Sequence, residues 1–462
     1  MSAEEDLARI ARGLLHPGAP ALAPHPAYSG SAKAPRVFVA ARHDVVVDVL
    51  SDEPRFSLAL YDELLEQVAP GTRYLVGCND TNRQLRLRLL MAAQAQVDRE
   101  RCAPDAPGVA PNLAPGYRTF IAAIAREEAS AILAVLAARA RLSPGADRSI
   151  NFVREYAFLL AYRMAWRIVG VAGPARPPAL VRIAVALRNL FTSGAALRLK
   201  GELGTATSTL TLLHPLVGHV FSTITTSPRP LQWASRVATR ASLATFDAAW
   251  EAPGAAPEHS LLPAMLAVRG QFANVDDANF HLQARSVLFE LAGALALIVG
   301  KSLAEIAGFA TSDKGRAAGV DWFGMVNRLA DPVATPAQHD ATINELLRLG
   351  SGQRLVRTVA AAGAWRGMDL QVGDRILAMV DVAAHDPAAF PNPERFAASP
   401  TRPYITSGPL QGPHVCYGRM IAWTILREAI VATRGQIVPM ENPVLKSFAG
   451  LPDDLRFTPV YA

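Results

Sequence analysis

Cysteine is scarce in this chain: Cys78, Cys102 and Cys416 are the only ones in 462 residues. So small and odd a set excludes a disulfide framework and points to a reducing, cytoplasmic setting. Lysine is nearly as rare, occurring at Lys33, Lys200, Lys301, Lys314 and Lys446, so arginine carries the cationic charge. Long basic runs are missing, because the cations interleave with Asp and Glu to a formal net charge of +6. That pattern gives nucleic-acid binding no support. Long uncharged apolar runs are missing as well: 286–300 is interrupted by Glu290, and 156–171 by Arg163 and Arg167. No membrane span is therefore expected. The first residues carry Glu4, Glu5 and Asp6 instead of an apolar stretch, which excludes a secretory signal there. What is present in quantity is apolar surface, at 50% hydrophobic residues, enough for a large core and too much for a disordered chain.

Along the chain, 1–35 is rich in Pro, Ala and Gly and is expected to wrap the surface. A strand over 36–40 and a helix over 44–51 follow, then a helix over 81–100. The Pro-rich run 103–116 is long enough for an insertion or a lid. Residues 119–171 have helical apolar spacing, as in Ile121, Ile124, Ala125, Ala129, Ile132, Leu133 and Leu136. More helices, separated by Gly, Ser and Thr clusters, are expected over 177–250, and the longest helical pattern covers 276–312. After Glu345 the texture turns strand-like at 357–360 and 375–380, and Pro387, Pro391 and Pro393 fix an extended segment. A last helix over about 418–434 and a strand over 455–461 close the chain. With no repeat and no linker, the expectation is a mainly α single domain over 1–462. Residues 36–60 and 356–380 supply its minor β region, and 412–434 form a Cys loop and its helix.

Chemistry concentrates in the C-terminal third. Glu345-Leu346-Leu347-Arg348 lies on a helix, followed by the meander His385 to Phe396, with Pro393-Glu394-Arg395-Phe396 at its end. Then comes Gly412-Pro413-His414-Val415-Cys416-Tyr417-Gly418, running into the last helix. Each piece alone has an ordinary reading: an i,i+3 ion pair on a helix, or a small buried thiol. In this order, with Cys416 placed 71 residues after Glu345, they resemble the cytochrome P450 family of heme-thiolate enzymes.

The resemblance implies the P450 fold, a large helical domain with a minor β-sheet region. It implies iron protoporphyrin IX (heme b) as cofactor and Cys416 as the iron ligand, since a thiolate pushes electron density onto heme iron. Gly412 and Gly418 let the backbone pass close to a flat macrocycle. A helix N-terminus beside Cys416 is expected to lower its pKa. Glu345, Arg348 and Arg395 would form a structural charge network. For the propionates, Asp80 to Arg88 is similar to the family's Asp-x-x-x-His-x-x-x-Arg, with Gln84 in the His slot and Arg88 in the Arg slot. Arg357 and His414 complete the expected contacts. Implied partners are a hydrophobic small-molecule substrate and a separate ferredoxin and reductase, since one family-sized domain uses the whole chain. Arg402, Arg419 and Arg427 are candidates for docking an acidic electron carrier.

The chain also departs from the family. The long helix of the family carries an acid and an alcohol after Ala-Gly, which pass protons into the site. Here Ala292-Gly293-Ala294-Leu295-Ala296 has neither. A second register, Ala307 to Thr311, keeps a Thr, but Ser312, Asp313, Lys314 and Gly315 follow at once and read as a helix end. Pro409 stands where the family has a Phe shielding the sulfur. Branches without the acid–alcohol pair take a ready-made oxygen–oxygen bond, as allene oxide synthases and the heme-thiolate halves of fungal diol synthases do. The run 74–80 and the Pro-rich segment after it loosely resemble that branch. The leading expectation is a monooxygenase, with a reductant-independent hydroperoxide isomerase or peroxygenase and a heme-binding protein without turnover as alternatives. Ala292, Gly293 and Ala296 are expected to face the reacting centre, and Leu295, Val359 and Leu451 to line an apolar substrate pocket.

Overall fold

A computed structural model describes residues 3–28, 35–73, 77, 81–101, 115–142, 148–171, 215–221, 224, 228–405, 415–448 and 451–460. The run 74–80 (Gly77 apart), most of the Pro-rich segment, the helices expected over 177–214 and the loop holding Pro409, Gly412 and His414 lie outside these residues.

One helix, Asp277–Thr311, organises the rest. It starts where the Asp276 carboxylate accepts the Asn279 N–H at 2.9 Å. It stops at Ser312, whose backbone is extended and whose hydroxyl caps the next helix, Asp313–Ala318, through the Gly315 N–H. Thr311 is thus a terminal residue, its hydroxyl turned back onto the Ala307 carbonyl at 2.9 Å. Glu290 does not shorten this element. At 35 residues it is long and apolar enough to cross a membrane, yet 67% of its most apolar window is buried inside the fold.

Between Leu295 and Val299 the long helix opens into a π turn. Such a turn inserts one residue and rotates the face that follows. Gly300 ends the wide turn against the helix Phe158–Val169: a Cβ there would stand 2.4 Å from Cδ1 of the Phe158 ring. Alanine would gain about 1 kcal/mol in helix propensity but force apart two packed helices, at about 1–3 kcal/mol. Gly300→Ala is therefore expected to lower the thermal midpoint, read by circular dichroism; a rise would contradict this packing.

Two shorter helices flank the long one. Pro336–Gly350 begins with a reciprocal capping box, in which Thr335 accepts the Gln338 N–H and Gln338 accepts the Thr335 N–H. Arg419–Ala432 follows the Cys segment and packs on Pro115–Leu142.

The main sheet has five strands in the order Ala23–Pro24, Val37–Ala40, Arg375–Met379, Arg354–Val359, Phe56–Ser57. Val37–Ala40 runs parallel to Arg375–Met379, pairing Phe38 with Ile376, while the other pairs are antiparallel. The C-terminal strand Arg456–Pro459 joins Ile150–Asn151 and Ile437–Pro439 in a three-stranded sheet. Residues 1–35 do more than wrap the surface. Ala3–Gly13 is a helix whose Leu7 and Ala11, with Leu14 just beyond it, are buried against Val37, Val356 and Leu377, and its Glu4 pairs with Arg354 at 2.6 Å.

Candidate heme-thiolate site

Cys416 sits three residues ahead of the helix Arg419–Ala432, and its carbonyl accepts the Arg419 N–H at 3.2 Å. It is half-buried and borders a cavity of about 860 Å³, counting the part open to solvent. Gly418 and Ala422 border the same space from the Cys side, and Leu291, Ala294, Leu295, Ile298, Val299 and Ser302 border it from the long helix. These last positions recur at helical spacing, and the wide turn adds Val299 beside Ile298. The preferred register is thus the part of the helix that faces Cys416, but not residue for residue. Leu295 lines the cavity, and a Cβ on Gly293 would meet no atom within 4 Å. Ala296, by contrast, is buried in the main apolar core, and Ala292 packs against it.

Two expected pocket residues are elsewhere. Val359 belongs to the apolar cluster of the five-stranded sheet, and Leu451, at the start of the strand Leu451–Asp454, packs on the main core. Strand alternation and tertiary packing decide these positions, and neither is legible in their sequence spacing. Ser302, which brings a hydroxyl to the cavity from beyond the wide turn, was not expected. Its i+7 relation to Leu295 is the signal that marks it.

The Cys416 thiol is pushed above its ordinary pKa. Burial is the largest cause; Glu290 adds to it, while the Gly418 and Arg419 N–H groups and the Arg419 guanidinium oppose it without prevailing. The helix end therefore does act on the sulfur as expected, but desolvation outweighs it. A cation bound at the sulfur reverses this balance, because a coordinating thiol is deprotonated outright.

Glu345 and Arg348 form a fully buried bidentate pair, with Nε to Oε2 at 3.0 Å and Nη2 to Oε1 at 2.8 Å. Arg348 Nη1 also donates to the carbonyls of Ala384 (2.8 Å) and Pro393 (2.7 Å), which ties the helix to the meander. The third guanidinium is Arg402, 3.0 Å from Glu345 Oε1, and not Arg395. Arg395 joins through its carbonyl, at 3.4 Å from Arg348 Nη2, while its own guanidinium donates to the Ala317 carbonyl at 2.9 Å. Burial raises the Glu345 pKa; the Arg348 bonds, the Ala397 N–H and Arg402 together outweigh it and hold the carboxyl below its usual range. With Arg402 engaged here, Arg427 paired to Glu428 at 2.6 Å and Arg419 facing the cavity, these three form no open docking patch.

The propionate expectation shifts along its helix, Thr81–Arg101. Gln84 and Arg88 are exposed. Arg83 and Arg86 are buried, at 2% and 1% exposure, and Arg86 Nη1 donates to Gln283 Oε1 of the long helix at 2.9 Å. Arg86 shares the buried stripe Leu90, Ala93, Val97, whereas Arg88 shares the outer stripe Met91, Ala95, Arg99. Helical periodicity thus turns Arg86 inward and Arg88 outward. Arg357 is buried at 3%, on the strand Arg354–Val359, and its Nη1 donates to the Val356 carbonyl at 3.1 Å.

This donor set fits a heme. A thiol borders a largely apolar cavity between two helices, and the buried guanidinium groups of Arg83, Arg86 and Arg357 are of the kind that matches the charge of two carboxylates.

No protein-family model and no curated protein matches the sequence. Solved structures do. Myxobacterial CYP267B1 in complex with myristic acid is 18% identical, with a TM-score of 0.66 over 100% of this chain and 98% of that one. P450BioI, in complex with an acyl carrier protein ligated to hexadec-9Z-enoic acid, is 14% identical, with a TM-score of 0.65 over 99% and 100%. A mutant of P450 EryK in complex with erythromycin B is 17% identical, with a TM-score of 0.64 over 100% and 97%. The chain has the cytochrome P450 fold.

Proposed function

We propose that this chain is a heme-thiolate oxidoreductase that acts on a hydrophobic small molecule as a monooxygenase, working as one domain. The observation that carries this reading is Cys416 on the rim of an apolar cavity, across from Leu291, Ala294 and Leu295 of the long helix. Cys416 would hold the iron, and Arg357 with Arg83 or Arg86 would hold the propionates. When bound, heme supplies cleavage of an oxygen–oxygen bond, which sulfur ligation favours. The residues of the long helix exclude water and offer an apolar surface to the substrate, and the buried Glu345–Arg348–Arg402 network holds the meander that leads to the Cys loop. The hexadec-9Z-enoic and myristic acids found with two of the solved neighbours are consistent with an apolar substrate.

A second reading, use of a peroxide as the oxygen source, is favoured by one observation: among the residues that border the cavity the long helix brings no acid, and its one hydroxyl, Ser302, stands beyond the wide turn. The two are separated on heme-loaded protein without reductant, given lipid hydroperoxides, hydrogen peroxide or buffer, with products followed by mass spectrometry. The monooxygenase reading expects inertness to peroxides and turnover only with a ferredoxin and its reductase. Rapid isomerisation of a lipid hydroperoxide would replace it with the second reading, and inertness under both regimes would leave heme binding without turnover.

A further inference from the structure

We infer that the exposed face of the helix Arg229–Glu251 docks an acidic helix of a partner protein. Arg229, Trp233, Arg236 and Arg240 are all exposed and recur at intervals of four, three and four, so they stand in one row on one face. The row is about 16 Å long at 1.5 Å per residue. Trp233 is 57% exposed, one of the most open large apolar side chains described.

Many arginines on this molecule are matched by acid, as Arg118 is to Asp340, Arg154 to Asp453, Arg285 to Asp247 and Arg366 to Asp44 and Asp48. Among the described residues no carboxylate pairs with Arg229, Arg236 or Arg240. Their own helix has no acid before Asp247. Arg236 is fixed in place by Nε, which donates to the Gln67 carbonyl at 2.9 Å. The row is therefore held against the underlying fold.

Its chemistry selects the partner. Arg and Trp are the side chains most enriched where proteins bind one another, and an uncompensated cationic row steers an acidic surface. A lipid surface fits less well. An interfacial helix needs a broad apolar face, and this row offers one Trp, with Ala244 continuing it. The long helix meets this helix through Arg285 and Phe289 and meets the cavity through Leu291, Ala294 and Leu295, so a partner on the row leaves the Cys416 side open. One helix face is a small contact, which implies a transient, micromolar complex.

The test uses the full chain and a synthetic helical peptide with Glu at positions matching the three arginines and Leu opposite Trp233. A scrambled peptide of the same composition and phosphatidylserine vesicles serve as comparisons, with binding read by calorimetry at two salt concentrations. The matched peptide is expected to bind more tightly than the scrambled one and to weaken as salt rises. Binding should fall about tenfold or more in R229E/R236E/R240E, and that variant should recover it with a peptide carrying Lys in place of Glu. Trp233→Ala should weaken binding by about tenfold. Equal binding of both peptides, failure of the charge swap, or capture by vesicles alone would overturn the proposal. Because heme plays no part in the readout, failure here is distinct from failure of the proposed activity.

Discussion

Replacing Cys416 with alanine is expected to abolish the thiolate-type spectrum of the reduced, carbon-monoxide-treated, heme-loaded protein while leaving the fold intact. The effect on the spectrum should be complete, since Cys416 is the one cysteine among the described residues and no other described side chain at the cavity offers sulfur. The effect on stability should be small. The side chain is only half-buried, and truncating a small partly exposed group costs about 1 kcal/mol or less. Circular dichroism and a thermal scan of the heme-free variant separate the two outcomes. A variant that kept the thiolate-type band would remove Cys416 from the site. A variant that unfolded would instead make it a core residue.

The second large effect belongs to the charge network. Glu345→Ala strands the Arg348 guanidinium, which is 2% exposed, with carbonyl acceptors and no carboxylate. Breaking a buried pair from one side costs about 3–5 kcal/mol. Arg348→Ala should cost less, because Glu345 keeps the Ala397 N–H and Arg402, both at 3.0 Å. The double variant should fall short of the sum of the two. Urea titrations of the four proteins check the order, and equal losses from the two single changes would show that Arg402 does not compensate. Acid offers an independent check. Because the Glu345 carboxyl is held below its usual range, the unfolded chain takes up the proton first as pH falls. The stability this shift contributes is present above the ordinary carboxylate pKa, about 4.3, and is lost as pH drops towards the folded value. Glu345→Gln should flatten that part of the acid-unfolding curve.

Much of the architecture was legible beforehand because it follows from periodicity and punctuation. The long helix was placed at 276–312 and runs over Asp277–Thr311, since an Asp cap and a Ser stop bracket an apolar pattern. The strands at Val37–Ala40 and Arg375–Met379 were read from β-branched and aliphatic runs. The errors share another origin. Arg395 is expected beside Glu345 from the order of a family pattern, whereas Arg402 supplies the guanidinium because the loop that carries it returns from further along the chain. The π turn at Leu295–Val299 has no local sequence marker, because packing against the helix Phe158–Val169 stabilises it. The burial that pushes the Cys416 thiol above its ordinary pKa cannot be seen in a linear sequence.

The parallel pairing of Val37–Ala40 with Arg375–Met379 joins segments more than three hundred residues apart. The ion pair between Arg36 and Asp374 spans the same gap. Arg375–Met379 is also the strand against which the Arg357 strand aligns, with Arg357 opposite Ile376. During synthesis the early strand, paired on one side with Ala23–Pro24, must therefore wait with its other edge open until most of the chain has emerged, and closing so long a loop is intrinsically slow. The guanidinium at position 357 takes its place only after that closure. Under the proposed function, cofactor capture would consequently be an event of the nearly finished chain, and the interval before that closure is when the open Val37–Ala40 edge is most exposed to wrong pairing.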